Sequence, residues 1–390
     1  MTMHRTRAAT FALTCAAVSA ATVAPAVAGG FKLLYSFQGG SNDGANPQGA
    51  LTADGRMLFG TTISGGSADA GTIFSWDPKT GVEKVLHAFG SSGDGMSPAA
   101  AMLKVGDMLY GTTTGGGSAG QGTVFSFDPK TGVEKIIYAF QGGSDDGAYP
   151  QARMIDVDGT LYGTTMQGGS ANCYLFGCGT VFSIDLASGA EKSIYFFQEG
   201  NDGANPGGSL LRLGHKLYGT TVSGGAGDCG TVFVLDPATG AETVLHNFNH
   251  QGDGNNPGSG LVNVGGMLYG TTIAGGAGDP GVGVVFAFSP KTGAEQVVYA
   301  FEDARGAIPE DSLIQVGSAL YATTSLGGAS NNGSVFSLDP ATHAEKVVHS
   351  FQGSDGSDPW ADLIEVGNHL YGTAYYGGSA NAGVVFEITP

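Results

Sequence analysis

Leu109-Tyr110-Gly111-Thr112-Thr113, followed by a glycine run and then Gly122-Thr123-Val124-Phe125-Ser126-Phe127-Asp128-Pro129, decides the fold because the pair returns along the whole chain. Its aromatic falls at Phe59, Tyr110, Tyr162, Tyr218, Tyr269, Tyr321 and Tyr371, with successive spacings of 51, 52, 56, 51, 52 and 50 residues. Self-similarity at a fixed period of this length marks a stack or ring of one supersecondary unit.

Each unit reads as four short strands. In the second they are 101–105, 108–113, 123–127 and 133–140, alternating or nearly so and bounded by glycine, proline or aspartate. Nothing has helical periodicity. Strands three and four are joined by Asp128-Pro129-Lys130-Thr131-Gly132, where proline presets one turn dihedral and glycine takes the left-handed position. The hairpin returns at 77–81, 236–240 and 289–293, slackens at 185–189 and ends in His343 at 339–343.

Seven four-stranded units predict an all-β, seven-bladed β-propeller with antiparallel blades. The two ends discriminate a ring from an open stack. Phe31-Lys32-Leu33-Leu34-Tyr35-Ser36-Phe37 matches a fourth strand, and the sequence stops at Pro390 after a third. The N-terminal strand is therefore expected to complete the last blade and close the circle. The blades are assigned to 47–90, 98–141, 150–198, 206–249, 257–302, 309–352, and 359–390 plus 31–38, one domain over 29–390.

The Leu-Tyr-Gly-Thr-Thr, Gly-Gly, Gly-Thr-Val-Phe, Asp-Pro-x-Thr-Gly succession resembles the bacterial GloVer tandem repeat of exported proteins, over essentially the whole chain after residue 28. Members of that family carry one of several C-terminal surface anchors; this sequence ends on the propeller, so free secretion is the expectation. The glycine pairs at Gly66, Gly116 and Gly225 are also similar to those of kelch blades. The tryptophan usual in a kelch fourth strand is missing, with Glu83, Glu134 and Glu295 in that region instead, and kelch oxidase activity is not carried over.

The first residues look like an export signal. His4, Arg5 and Arg7 precede an uncharged, Ala-rich run over 8–23, and Ala26-Val27-Ala28 is a small-x-small cleavage site. The run is shorter than the ~20 apolar residues of a membrane span. Removal of 1–28 leaves 14 basic and 34 acidic side chains, a net charge of −20. Such a surface repels phosphate backbones and anionic headgroups, which argues against nucleic acid as a partner. A secreted, periplasmic or cell-surface monomer without a membrane span is expected.

Three cysteines follow the leader. Cys173 and Cys178 bracket the insertion that lengthens the third unit, and in an oxidising compartment they are expected to pair. So short a loop gains only ~2 kcal/mol from closure. Cys229 is left as a free thiol or an intermolecular link. No metal or other cofactor is expected.

An internal repeat offers a test of function: what recurs in most blades is architecture, and what departs is a candidate site. His87, His246 and His349 share a fourth-strand position with Tyr35, Tyr138, Tyr195 and Tyr299, and read as packing residues. The Asp-Gly pairs at 43–44, 94–95, 146–147, 202–203 and 253–254 read as turns. One carboxylate per loop falls short of the six to eight oxygens that calcium takes. Residues after the proline that opens strand one are mostly tiny, as in Ala99-Ala100-Ala101 and Gly207-Gly208-Ser209. Three blades depart, with Gln151-Ala152-Arg153, Glu310-Asp311-Ser312 and Trp360-Ala361-Asp362, and blade one adds Gln48.

Tyr375, Tyr376, Asp303 and Arg305 are expected nearby. Aromatics beside carboxylates, an arginine and amides at a channel mouth suit a sugar-like ligand, and paired carboxylates also suit acid–base work. The sequence therefore supports a non-catalytic, extracytoplasmic binding scaffold for a glycan, with a polysaccharide hydrolase or lyase and a structural surface or matrix protein as alternatives.

Overall fold

The computed structural model describes residues 30–390 apart from 91–92, 170–172, 174–175, 250–251, 277–280 and 303–304. The expected leader lies outside the described residues. Among the described residues, seven four-stranded antiparallel sheets form a propeller. Blade two runs Leu103–Val105, Met108–Thr113, Thr123–Asp128 and Val133–Ala139 from inside outward. Its innermost strand is shorter than expected, because 101 and 102 stay off the ladder: Ala99, Ala100 and Ala101 line the axis, and Met102 packs in the core. The ring closes as expected: Phe31–Ser36 pairs antiparallel with Val384–Ile388, which makes the N-terminal strand the outer strand of blade seven. No described helix is long and apolar enough to cross a membrane.

The repeated motif now has a physical reading, position by position. In Leu58-Phe59-Gly60-Thr61-Thr62 the leucine is fully buried. A side chain at Gly60 would collide with the ring of Phe74, 2.4 Å from where its Cβ would stand. Thr61 donates across to the Ala100 carbonyl of blade two at 3.3 Å, and Thr62 shares a hydrogen bond with Thr72 on strand three at 2.8 Å. The motif thus packs one blade and ties it to the next. The following hairpin is fixed by its aspartate: Asp77 accepts from the Lys79 amide at 2.9 Å, and Gly81 turns with φ +69°.

Blades meet through phenylalanine. The last residue of each fourth-strand motif packs edge to face on the phenylalanine of the next blade's Gly-Thr-Val-Phe, from Phe37–Phe74 round to Phe351–Phe386. All seven centroid distances lie between 5.0 and 5.4 Å. Such pairs add about 0.5–1.5 kcal/mol each beyond their burial.

Above each phenylalanine pair the seam turns polar. Tyr35, Tyr138 and Tyr195 donate to Asp43, Asp146 and Asp202 at 3.0, 2.9 and 2.8 Å. His87, His246 and His349 take the same place beside Asp94, Asp253 and Asp355, at 3.3, 3.3 and 3.0 Å. These histidines do pack, each ring edge on to the phenylalanine two residues later. Packing is half of their role, and the Asp-Gly carboxylate is a seam bond as well as a turn.

A glutamate from the next blade completes most seams. Glu83, Glu134, Glu191, Glu242 and Glu295 are each pushed up to about 7, first by burial and then by the neighbouring aspartate. In the seam between blades five and six the aspartate is lost. Arg305 replaces it and pairs with the buried Glu345 at 3.1 Å. Arg305 therefore points to the seam, not the channel mouth where it was expected; without it the Glu345 carboxylate would lie buried with only Tyr299 as donor. Asp303 lies outside the described residues.

Cys173 and Cys178 are joined as a disulfide, with Cα atoms 5.5 Å apart. Cys229 is free and buried.

Candidate functional site

The loops that carry the candidate residues are held by short ladders on one face of the ring. Gly44–Ala45 pairs with Ser64–Gly65, and blades two, three and four repeat the arrangement. The loop into strand one and the loop between strands two and three are thus zipped together at the channel mouth. The residue before each opening proline sits in the left-handed region in all seven blades: Asn46, Ser97, Tyr149, Asn205, Asn256, Ile308 and Asp358, with φ between +51° and +59°. That kink turns the following three residues inward.

They enclose a central cavity of about 310 Å³ to which all seven blades contribute. Tiny residues are required there because neighbouring backbones touch. A Cβ on Gly208 would stand 2.3 Å from the Ser259 carbonyl oxygen, and one on Gly49 would stand 2.6 Å from Ala100. The lining includes Gln48, Gln151, Arg153, Glu310, Asp311, Trp360 and Asp362, so seven of the nine candidates meet in one place. Tyr375 and Tyr376 stand behind them. Tyr375 packs on Trp360 at 4.8 Å between centroids, and the exposed Tyr376 packs on Tyr375 at 4.6 Å.

The polar half of the cavity is built by blades three, six and seven. Asp311 is buried, accepts from the Thr323 hydroxyl and lies close to Asp362. Burial and that like charge hold it well above the ordinary carboxylate range. Asp362 accepts from the Ser312 amide at 2.6 Å. Its pKa is also raised by burial, against the pull of Ser312 and Arg153. Asp362 therefore braces blade seven against blade six, while the Asp311 carboxylate is held within its own blade. Glu310 is pushed up to about 7 by burial, with the Ser325 hydroxyl opposing and Asp358 adding to the rise. Arg153 is pulled below its ordinary value by burial. Its Nε and the Nε1 of Trp360 are buried donors without a hydrogen-bond partner.

Sequence reasoning missed two parts of this site. Met166, Val222 and Ile273 form an apolar wall on blades three, four and five. The available signal was positional, since each is the residue after the Thr-Thr pair. Asp358, directly before Pro359, was not among the candidates, although its carboxyl adds to the charge around Glu310.

The chain is similar in fold to several solved structures. An oligogalacturonate lyase in complex with manganese matches at 12% identity and TM-score 0.56, over 92% of each chain. An oligogalacturonate lyase from Vibrio parahaemolyticus matches at 10% identity and TM-score 0.55, over 92% of this chain and 93% of that one. A chain of the mitotic checkpoint complex matches at 14% identity and TM-score 0.58, over 98% of each. At these identities the likeness shows the fold alone. No curated protein sequence matches the chain. The Gloeobacter/Verrucomicrobia repeat matches residues 21–176 and 172–386, and with nearly every blade inside those two stretches the chain belongs to that repeat family.

Proposed function

We propose that this propeller is an exported, non-catalytic binding module that takes the hydroxyl-rich end of a glycan into its central cavity, acting outside the cytoplasm as a monomer. One observation carries the reading: two buried donors without partners, Arg153 Nε and Trp360 Nε1, belong to residues that line the same cavity. A buried donor left unpaired costs about 1–3 kcal/mol, which a ligand hydroxyl would recover. The apolar wall of Met166, Val222 and Ile273 suits the carbon face of a sugar ring, and Gln48 and Gln151 add amides. The volume lies at the lower end of the ~300–1,000 Å³ of ligand pockets, which suits a chain end better than a long segment. The leader-like N-terminus and the Cys173–Cys178 bond support export.

The carboxylates favour binding over chemistry, because Asp311 and Asp362 are committed to Thr323 and to the Ser312 amide. The rival reading, a polysaccharide hydrolase or lyase, draws on Glu310, whose pKa near 7 is that of a general acid. Release of new chain ends from a bound oligosaccharide is the signature that separates the two.

Calorimetry of the secreted form against a panel of neutral and acidic oligosaccharides tests the proposal. At least one is expected to bind, and Trp360→Ala should weaken it about tenfold or more while the melting temperature stays within a few degrees. Absence of binding by the wild type across the panel would sink the reading.

A further inference from the structure

The seams between blades one and two and between blades four and five differ from the rest in donor chemistry. His87, Asp94 and Glu134 present one ligand atom each within 4.8 Å of one another, and so do His246, Asp253 and Glu295. The members of each set come from two blades: a histidine on one outer strand, the aspartate of the loop that follows it, and a glutamate on the next outer strand. We propose that these two seams are a matched pair of divalent-cation sites, of a kind suited to zinc, that clip blade one to two and blade four to five.

Imidazole nitrogen with two carboxylate oxygens is a donor set that zinc accepts, with a fourth position left for water. Ligand atoms on a tetrahedral zinc ion stand about 3.4 Å apart. The His87–Asp94 and His246–Asp253 contacts are already at 3.3 Å, and small rotations of the glutamates close the remainder. Glu134 and Glu295 each keep a buried carboxylate oxygen without a hydrogen-bond partner, as Glu83, Glu242 and Glu345 do at tyrosine seams, so the imidazole is what sets these two seams apart.

The other seams act as internal controls. Where tyrosine replaces histidine, its hydroxyl donates to the acid and fills the gap with a proton: Tyr195 reaches Asp202 at 2.8 Å and Glu242 at 3.5 Å. The third histidine seam lacks the glutamate. Phe31 stands at that position and stacks flat on His349, with centroids 3.8 Å apart. One imidazole and one carboxylate are left there, too few to hold an ion. A further cluster, Cys173, Cys178 and Glu199, offers no thiolate because its sulfurs are bonded to each other.

The test uses zinc itself as the probe. The full mature chain is stripped with chelator, loaded with micromolar zinc, dialysed, and its bound metal counted by atomic emission. The wild type is expected to retain two ions, His87→Tyr one, His246→Tyr one, and the double variant none. His349→Tyr should retain two. Tyrosine is the residue the fold already uses at four seams, so each variant should melt within a few degrees of the metal-free wild type. The proposal is overturned if the wild type retains no zinc, if the double tyrosine variant retains as much as the wild type, or if His349→Tyr loses an ion.

Discussion

The seams and the axis of this ring are built from the same repeat and teach opposite things. At the seams the seven blades repeat one solution, a phenylalanine pair beneath a polar cluster, with substitutions confined to a few chemically related choices. At the axis, blades two, four and five keep the small residues the geometry demands, while three, six and seven introduce Arg153, Glu310, Asp311, Trp360 and Asp362. Stability is therefore spread around the circumference, and the polar departures are confined to the centre, on neighbouring blades six and seven and on blade three across the axis from them. Changes at the seam should move the melting temperature and leave the cavity's preference intact; changes at the centre should do the reverse.

The largest expected effect breaks a seam. Phe37 is fully buried and directly follows the strand that closes the ring, edge to face with Phe74 at 5.0 Å. Phe37→Ala should cost about 3–5 kcal/mol, the usual loss for a buried phenylalanine. Chemical denaturation should show that loss, with oligosaccharide preference unchanged in the folded fraction. A cost below about 1 kcal/mol would mean that closure depends on the strand ladder of Phe31–Ser36 rather than on the aromatic pair.

The contrast also explains what could be read from the residues alone. The period, the hairpins and the split last blade were legible because they depend on local chemistry and a count. The central candidates were legible because departure from a repeat is visible within one sequence. The seam clusters were hidden by the same test. His87 and Glu134 are 47 residues apart and meet only because each outer strand abuts its neighbour's; recurring in several blades, they looked like filler. Arg305 misled for a related reason. Its loop departs from the pattern as Glu310 does, but its partner Glu345 sits on the next outer strand, so the departure repairs a seam. Met166, Val222 and Ile273 were illegible because an apolar residue after a strand is unremarkable until seven such strands converge.

A smaller effect tests whether strain at the centre is functional. Ile308 is β-branched, yet it holds φ +59° directly before Pro309 and Glu310. Its amide donates to Val282 at 2.8 Å and its carbonyl accepts from Ser325 at 3.1 Å, which pins the strained conformation. Blades one, four and five use asparagine there, and each amide donates to a carbonyl on the preceding blade. Ile308→Asn should recover about 1 kcal/mol, a rise of roughly 2 °C in melting temperature. An unchanged or lower melting temperature would show that the packing of isoleucine outweighs its backbone cost.

The smallest effect is a matter of pH. Glu242 is held at about 7 by burial and by Asp202, against an ordinary value of 4.5. The folded state thus keeps a proton that the unfolded chain gives up. The contribution of this seam is full below pH 4.5, declines as pH rises to about 7, and is flat above. With Glu83, Glu134, Glu191 and Glu295 placed alike, the ring should melt higher at pH 5 than at pH 8. His246 and His349, lowered by burial, act in the opposite sense but are fewer. Glu242→Gln removes the titration while keeping an oxygen for Tyr195 and adding a donor for Asp202. It should raise the melting temperature at pH 8 by on the order of 1 °C, after the screening felt by half-exposed groups, and leave it unmoved at pH 5. A gain of equal size at both pH values would assign the effect to the amide's hydrogen bonds, and the seam carboxylates would then be ordinary ionised acids.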